Sequence, residues 1–247
     1  MPQSLILGGT KGLGRALAVH SIRRGFPTVV VGRNTADIAT DFDLGAAERR
    51  RADLSRPDAF ADALKGSDRF THVFWVAGIF ARRPLVETTP EGNLAMAATH
   101  LLGPVEMLKA VHRLALASAP LADRPGQPYH LVVISSTSSY RVRDNEEMYC
   151  ALQAAKAHFA RNWARRLATD LPGSKVTLVC PAGMRTGLFE GTGQDTSGFM
   201  DPMAVADIIW GVVLGQTDRF LPVVIERDGS TPQVSFGSPA PHEPFFR

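Results

Sequence analysis

Along the chain, short apolar runs alternate with longer segments whose apolar positions recur every three or four residues. "SLILGG" (4–9), "PTVVVGR" (27–33), "RRRADL" (49–54), "THVFWVAG" (71–78), "HLVVISS" (130–136), "KVTLVCP" (175–181) and "RFLPVVIER" (219–227) read as strands. Between them, 12–25, 56–66, 90–118, 147–170 and 202–215 read as helices. Gly25 ends the first of these. Gly103-Pro104 is expected to bend the third, because proline lacks an N–H and crowds the preceding turn. Segment 183–201 is Gly-rich and turn-like, and the stretch from 228 carries four prolines and little pattern. Alternation of this kind implies βαβ units with right-handed crossovers and a mostly parallel sheet covered on both faces, an α/β fold. Ligands in such sheets bind at the carboxyl ends of the strands, so residues just after strands are the place to look for chemistry.

Composition narrows the options. The chain has 247 residues, 45% of them hydrophobic, enough for a large core in one domain spanning 1–247. No apolar run approaches the roughly 20 residues of a membrane span. The first residues enter a strand with no basic leader, so a cytoplasmic location is expected. The net charge of +3 is scattered, and the densest basic cluster is "RRR" at 49–51, too short for a nucleic-acid footprint. Cys150 and Cys180 lack metal-ligand spacing, and no metal is expected. Free thiols are the simpler reading of the pair, with a disulfide between them left open.

"GGTKGLG" (8–14) joins the first strand to the first helix. Gly8, Gly12 and Gly14 permit positive φ and close approach of a pyrophosphate, with Thr10, Lys11 and Leu13 in the same turn. The helix start offers free N–H groups and a positive dipole end to phosphate. Arg33 and Asn34 follow the second strand, where an adenosine ribose lies in this architecture. Gly32 leaves room there, and Arg33 with Lys11 favours NADP(H) over NAD(H), since a guanidinium forks onto phosphate. Asp53, followed by Leu54, either accepts from adenine or caps the helix beyond it. Ala77 and Gly78, in "VAG", are small enough for a ribose to lie against the backbone.

These motifs, with "ISS", Tyr149 and "PAGMRT", resemble the short-chain dehydrogenase/reductase family along roughly residues 4–227. The resemblance implies a Rossmann-type three-layer sandwich with a seven-stranded sheet, order 3-2-1-4-5-6-7, and a small-molecule substrate. It implies Ser136 holding a substrate carbonyl, Tyr149 as general acid/base, and Pro181 and Thr186 beside the nicotinamide. It implies 183–201 as a mobile substrate loop, and a homodimer or homotetramer built on the two long helices. The chain departs from the family pattern twice. Gln153 stands where the family has lysine, four residues after the tyrosine. His100 stands where the family has the asparagine that supports a water relay to that lysine.

Gln153 can hydrogen-bond a nicotinamide ribose but cannot lower the tyrosine pKa by charge. The phenol is then kept protonated, which suits carbonyl reduction better than alcohol oxidation. His100 is a candidate titratable group near Gln153. Lys156, seven residues past Tyr149, returns to nearly the same helix face. Arg141 and Arg143 offer charge for an acidic substrate, and Phe189, Phe199 and Met200 an apolar lid. The expected function is NADP(H)-dependent reduction of a small-molecule carbonyl or imine, with Tyr149 as proton donor. The alternatives are a non-redox lyase, isomerase or cyclase on the same fold, and a non-catalytic nucleotide-binding protein.

Overall fold

The computed structural model describes residues 3–33, 41–56, 63–64, 70–118 and 126–237. In chain order its main elements are β1 (Ser4–Leu7), α1 (Gly12–Arg23), β2 (Thr28–Gly32), β3 (Glu48–Arg51), β4 (His72–Trp75), α2 (Pro90–Ala97) and α3 (Gly103–Ala117). Then come β5 (His130–Ile134), α4 (Glu147–Asp170), β6 (Lys175–Pro181), α5 (Pro202–Gly215), β7 (Phe220–Asp228) and β8 (Thr231–Phe236). Of the helix expected at 56–66, Ala63 and Leu64 are helical and most of the remainder lies outside the described residues.

The strands form one sheet in the order β3-β2-β1-β4-β5-β6-β7-β8. All neighbours are parallel except β7 and β8. Eight strands replace the expected seven: the last is a hairpin return along β7, in a stretch with little pattern of its own. Register aligns Leu7 with both Val31 and Trp75, so the ends of β1, β2 and β4 share one edge. The chain reverses its direction of winding at β1, which opens the crevice there.

Two apolar layers cover the sheet. On one face Leu5, Leu7, Val31, Trp75 and Val133 pack against Met107, Leu108 and Val111 of α3 and Ala157, Ala160 and Ala164 of α4. On the other, Ile6, Val30, Phe74 and Val132 meet Leu13 and Leu17 of α1 and Ile209, Trp210 and Val213 of α5. The period-two alternation of the strands thus feeds two cores. Helix starts follow local chemistry. Thr89 caps α2 through Gly92 N–H, Asp201 caps α5 through Met203 N–H, and each helix opens on a proline, whose missing N–H costs nothing there.

Pro104 does not break the long helix. The turn before it, Ala98–Leu102, opens into a π-type turn and α3 follows without a break. Cys150 and Cys180 are free thiols.

At the far end of the sheet His72 and His130 are held uncharged. Burial pushes His72 down to about 4 and His130 to about 3, from an ordinary 6.5. Thr177 gives its hydroxyl proton to Gln216 Oε1, so His130 Nε2 must donate to Thr177. Both rings bind protons when unfolded and not when folded. Their stabilising contribution is therefore complete above pH 6.5 and is lost as pH falls toward 4 and then 3. The expected result is a melting temperature that drops steeply between neutral and mildly acid pH, with about 1.4 kcal/mol per pH unit from each histidine. A His130→Gln variant should show a shallower slope in the same thermal scans.

Candidate active site

The glycine turn sits at the carboxyl end of β1. Gly8 has φ +87°, and a Cβ there would stand 2.7 Å from Ala77 Cα. A Cβ on Gly14 would lie 2.0 Å from Gly8 O, so α1 starts against the turn only because residue 14 has no side chain. The first turn of α1 faces a cleft of about 1210 Å³ that crosses the carboxyl ends of the strands. Gly8, Thr10, Lys11, Gly12, Leu13, Gly14, Arg33, Asp53, Leu54, Ala77, Gly78, His100, Ser136, Tyr149, Gln153, Pro181 and Thr186 all line it. Asn34 lies outside the described residues.

Gly32 lines the cleft, and Thr10 Cγ2 lies 2.5 Å from where a Cβ would stand, so a side chain at 32 would have to displace the Thr10 methyl. Asp53 receives Ser55 N–H at 3.0 Å and the Ser55 hydroxyl at 2.7 Å on one oxygen. Burial pushes the Asp53 carboxyl up, but Ser55, with Arg33 and Arg56 nearby, outweighs it and holds the group below its usual range. Asp53 is therefore ionised and its loop is locked.

The other half of the cleft gathers around α4. Tyr149, Gln153 and Lys156, at spacings of four and three, share one helical face and are buried to 9%, 3% and 1% exposure. Ser135 donates to Gln153 O at 2.9 Å, fastening the helix to the end of β5. Ser136 caps the 3₁₀ turn Thr137–Ser139, accepting Ser138 N–H at 3.1 Å, which orients its hydroxyl oxygen into the cleft beside the phenol. Burial raises the Tyr149 phenol to about 12, with Ser136 and Gln153 pulling the other way. The phenol is protonated at any physiological pH.

His100 does not fill the titratable role expected of it. Burial, then the nearby Lys156 charge, push it down to about 3, so it stays neutral. Its Nε2 lies 3.0 Å from Ile79 N and only 2.6 Å from Ile79 O, and an oxygen at the shorter distance can only be accepting a proton from the ring. The hydrogen is thus on Nε2, and Nδ1 is a bare acceptor, buried without a partner. Pro104 has no N–H to give the His100 carbonyl four residues back. Trp75 Nε1 supplies the missing donor at 3.1 Å. The carbonyl exposed by the opened helical turn is therefore taken by an indole.

The lid has one member that the sequence did not announce. Phe80 meets Tyr149 edge-on at 4.9 Å and Phe189 at 5.2 Å, and Phe189 meets Phe199 at 5.1 Å. This row of rings walls off the phenol, with the Arg227 guanidinium 4.9 Å above Phe199. Met200 is fully buried behind it. Arg141, expected to be available to an acidic substrate, is paired with Glu226. Arg143 remains on the cleft wall.

Residues 3–197 match the family model described as short chain dehydrogenase. The chain belongs to the short-chain dehydrogenase family. Members of the short-chain dehydrogenase family are mostly oxidoreductases, and their fold binds nicotinamide cofactors. Among curated proteins, this short-chain dehydrogenase is 25% identical over 187 residues to 3-oxoacyl-[acyl-carrier-protein] reductase of Homo sapiens and of Bos taurus, covering 73% of the chain and 75% of each relative. A short-chain dehydrogenase from Sphingobium yanoikuyae in complex with NADPH shares the fold at TM-score 0.77 and 22% identity, over 91% of this chain and 87% of that one. One from Streptomyces avermitilis does so at TM-score 0.77 and 23% identity, over 92% and 89%.

Proposed function

We propose that this short-chain dehydrogenase is an NADP(H)-dependent reductase of a small-molecule carbonyl or imine, with Tyr149 as the proton donor. One observation carries the reading: a phenol raised to about 12 stands beside the Ser136 hydroxyl, with an uncharged Gln153 one turn away. Such a group is present as the acid, able to give its proton to a more basic developing alkoxide, and almost no phenolate exists to act as base in the reverse direction. Ser136 orients the substrate oxygen, and the Phe80–Phe189–Phe199 row keeps water from it.

The cleft fits the cofactor. A turn that tolerates no Cβ at Gly14 leaves backbone N–H groups open to a diphosphate. Gly8, Thr10, Lys11, Gly12 and Leu13 would hold that diphosphate, and Arg33 the 2′-phosphate. Asp53 and Leu54 would meet adenine, Ala77 and Gly78 its ribose. Gln153 would hold the second ribose, Pro181 and Thr186 the nicotinamide. When bound, the reduced nicotinamide supplies hydride. The curated relatives are carbonyl reductases by name, and one structural neighbour holds NADPH, which favours the same direction and cofactor. The same reading has a second copy of the chain covering the exposed Leu94, Leu102 and Leu116 along α2 and α3.

The test is nicotinamide absorbance with a panel of ketones, aldehydes and imines, using NADPH and NADH in parallel. NADPH should turn over faster. Arg33→Asp should raise the Kd for NADPH about 10- to 100-fold, the loss of a charge-assisted hydrogen bond, and leave NADH nearly unchanged. Equal affinities for both cofactors before and after the substitution would remove the NADP(H) preference.

A further inference from the structure

Lys156 has no place in the steps above, yet it is among the most deeply buried side chains in the protein, at 1% exposure. It lines the cleft on the same face of α4 as Tyr149 and Gln153. Its ammonium lies 5.5 Å from the centre of the Trp75 ring. Among the described residues it makes no hydrogen bond or ion pair. An ammonium carries three donors and no acceptor, and burying it without acceptors is costly. Two acceptors in the same region are also without partners: Gln153 Oε1, three residues back on the helix, and His100 Nδ1 on the neighbouring one. Trp75 links the two elements, stacking on Lys156 and bonding the His100 carbonyl. An ammonium donor and two buried, unpaired acceptors lining the same cleft are what a single internal water satisfies.

We propose that Lys156 is the proton reservoir of this site, passing a proton through a buried water held by Gln153 Oε1 and His100 Nδ1 to the phenolate that Tyr149 becomes after serving substrate. The role rests on the reductase reading and deepens it. During reduction the Tyr149 O–H bond breaks and its proton joins the substrate oxygen. The phenolate takes a proton from the bridging water, the water takes one from Lys156, and the ammonium becomes an amine. Solvent in the cleft then restores the ammonium. No electrons move in these transfers. The two transfers occur together through the water, and the net movement from Lys156 to the phenolate runs downhill, because burial holds the phenol up at about 12 and the Lys156 amine down at about 7. The titratable groups that face Lys156 are Cys180 on β6 and His100 on the adjoining helix, with Tyr149 on its own helix. Burial raises the Cys180 thiol and lowers His100, so neither changes charge near neutrality. Glu146, at the head of α4, acts on the phenol and not on Lys156. Lys156 is thus a positioning residue, acting through Tyr149.

The pH profile of kcat for carbonyl reduction tests this, with Lys156→Met as the variant. Methionine suits a buried site, and the melting temperature should hold or rise. Wild-type kcat should fall as pH rises through about 7, where the reservoir empties. Lys156→Met should lose that inflection and about a hundredfold in kcat, with KM little changed. Adding Gln153→Lys in the Lys156→Met background should recover the rate, which a merely structural role cannot explain. If Lys156→Met keeps both kcat and the inflection, the reservoir is refuted while the reductase reading stands. If wild type binds NADPH and reduces nothing in the panel, the reductase reading fails and the reservoir with it. NMR of isotope-labelled lysine in the wild-type protein needs no turnover. One resonance, absent from Lys156→Met, should titrate near neutrality, and a Lys156 ammonium that stays protonated well above that range overturns the proposal by itself.

Discussion

Tyr149→Phe is expected to lower carbonyl reduction by about 10²–10⁴-fold while NADPH still binds and the fold is kept. The substitution removes one hydroxyl and nothing else. The phenylalanine ring retains its edge contacts with Phe80 at 4.9 Å and His100 at 5.5 Å. A buried hydroxyl that no longer needs a partner removes a desolvation cost, so thermal stability should be unchanged or slightly raised. The kinetic signature is a loss in kcat with little change in KM, because the O–H bond is broken only in the transition state. The assay is steady-state NADPH oxidation paired with cofactor titration by calorimetry. Retained turnover would move the proton donor elsewhere, with Ser136, Glu146 and Lys156 among the side chains that line the cleft.

The second large effect concerns direction. Gln153→Lys should raise alcohol oxidation by about 10- to 1000-fold and change carbonyl reduction far less. At a phenol pKa of about 12, phenolate is about one molecule in 10⁵ at neutral pH, too few for an efficient base. A cation one helical turn away lowers such a group by roughly one to three units, and the phenolate population rises in proportion. Reduction uses the protonated form, which is already saturated. The gain will be smallest where Lys156, three residues on, is still charged and depresses the new ammonium. Equal gains in both directions, measured with the same alcohol–ketone pair, would show that the glutamine does not act through the phenol.

Much of this architecture was legible in the sequence, for identifiable reasons. α4 and α5 begin and end where the apolar periodicity put them. Some strand ends, at β1, β2, β3, β4 and β5, were read too long. "SLILGG" is continuous in hydropathy, but the chain leaves the sheet at Gly8, where φ turns positive. β8 escaped altogether: "TPQVSF" is mostly exposed and is a strand only because β7 offers it an edge. At the site, the four- and three-residue spacings placed Tyr149, Gln153 and Lys156 on one face. Depth was not legible. Lys156 is buried by Trp75, a residue 81 positions away on another strand, and no helical pattern records that. The Trp75 bond to His100 arises from a hydrogen that Pro104 lacks, a tertiary repair of a local defect. Phe80 carries no motif at all and was found only by its contact with the phenol.

The hairpin at the end of the sheet has a consequence for how the molecule behaves at high concentration. An open strand edge is a template for neighbouring chains, and β7 would have been one. β8 covers it, and the new edge strand carries Pro232, which has no N–H to offer an incoming strand. A strand adding at that border meets a position with no N–H to pair with, which disfavours growth of the sheet there.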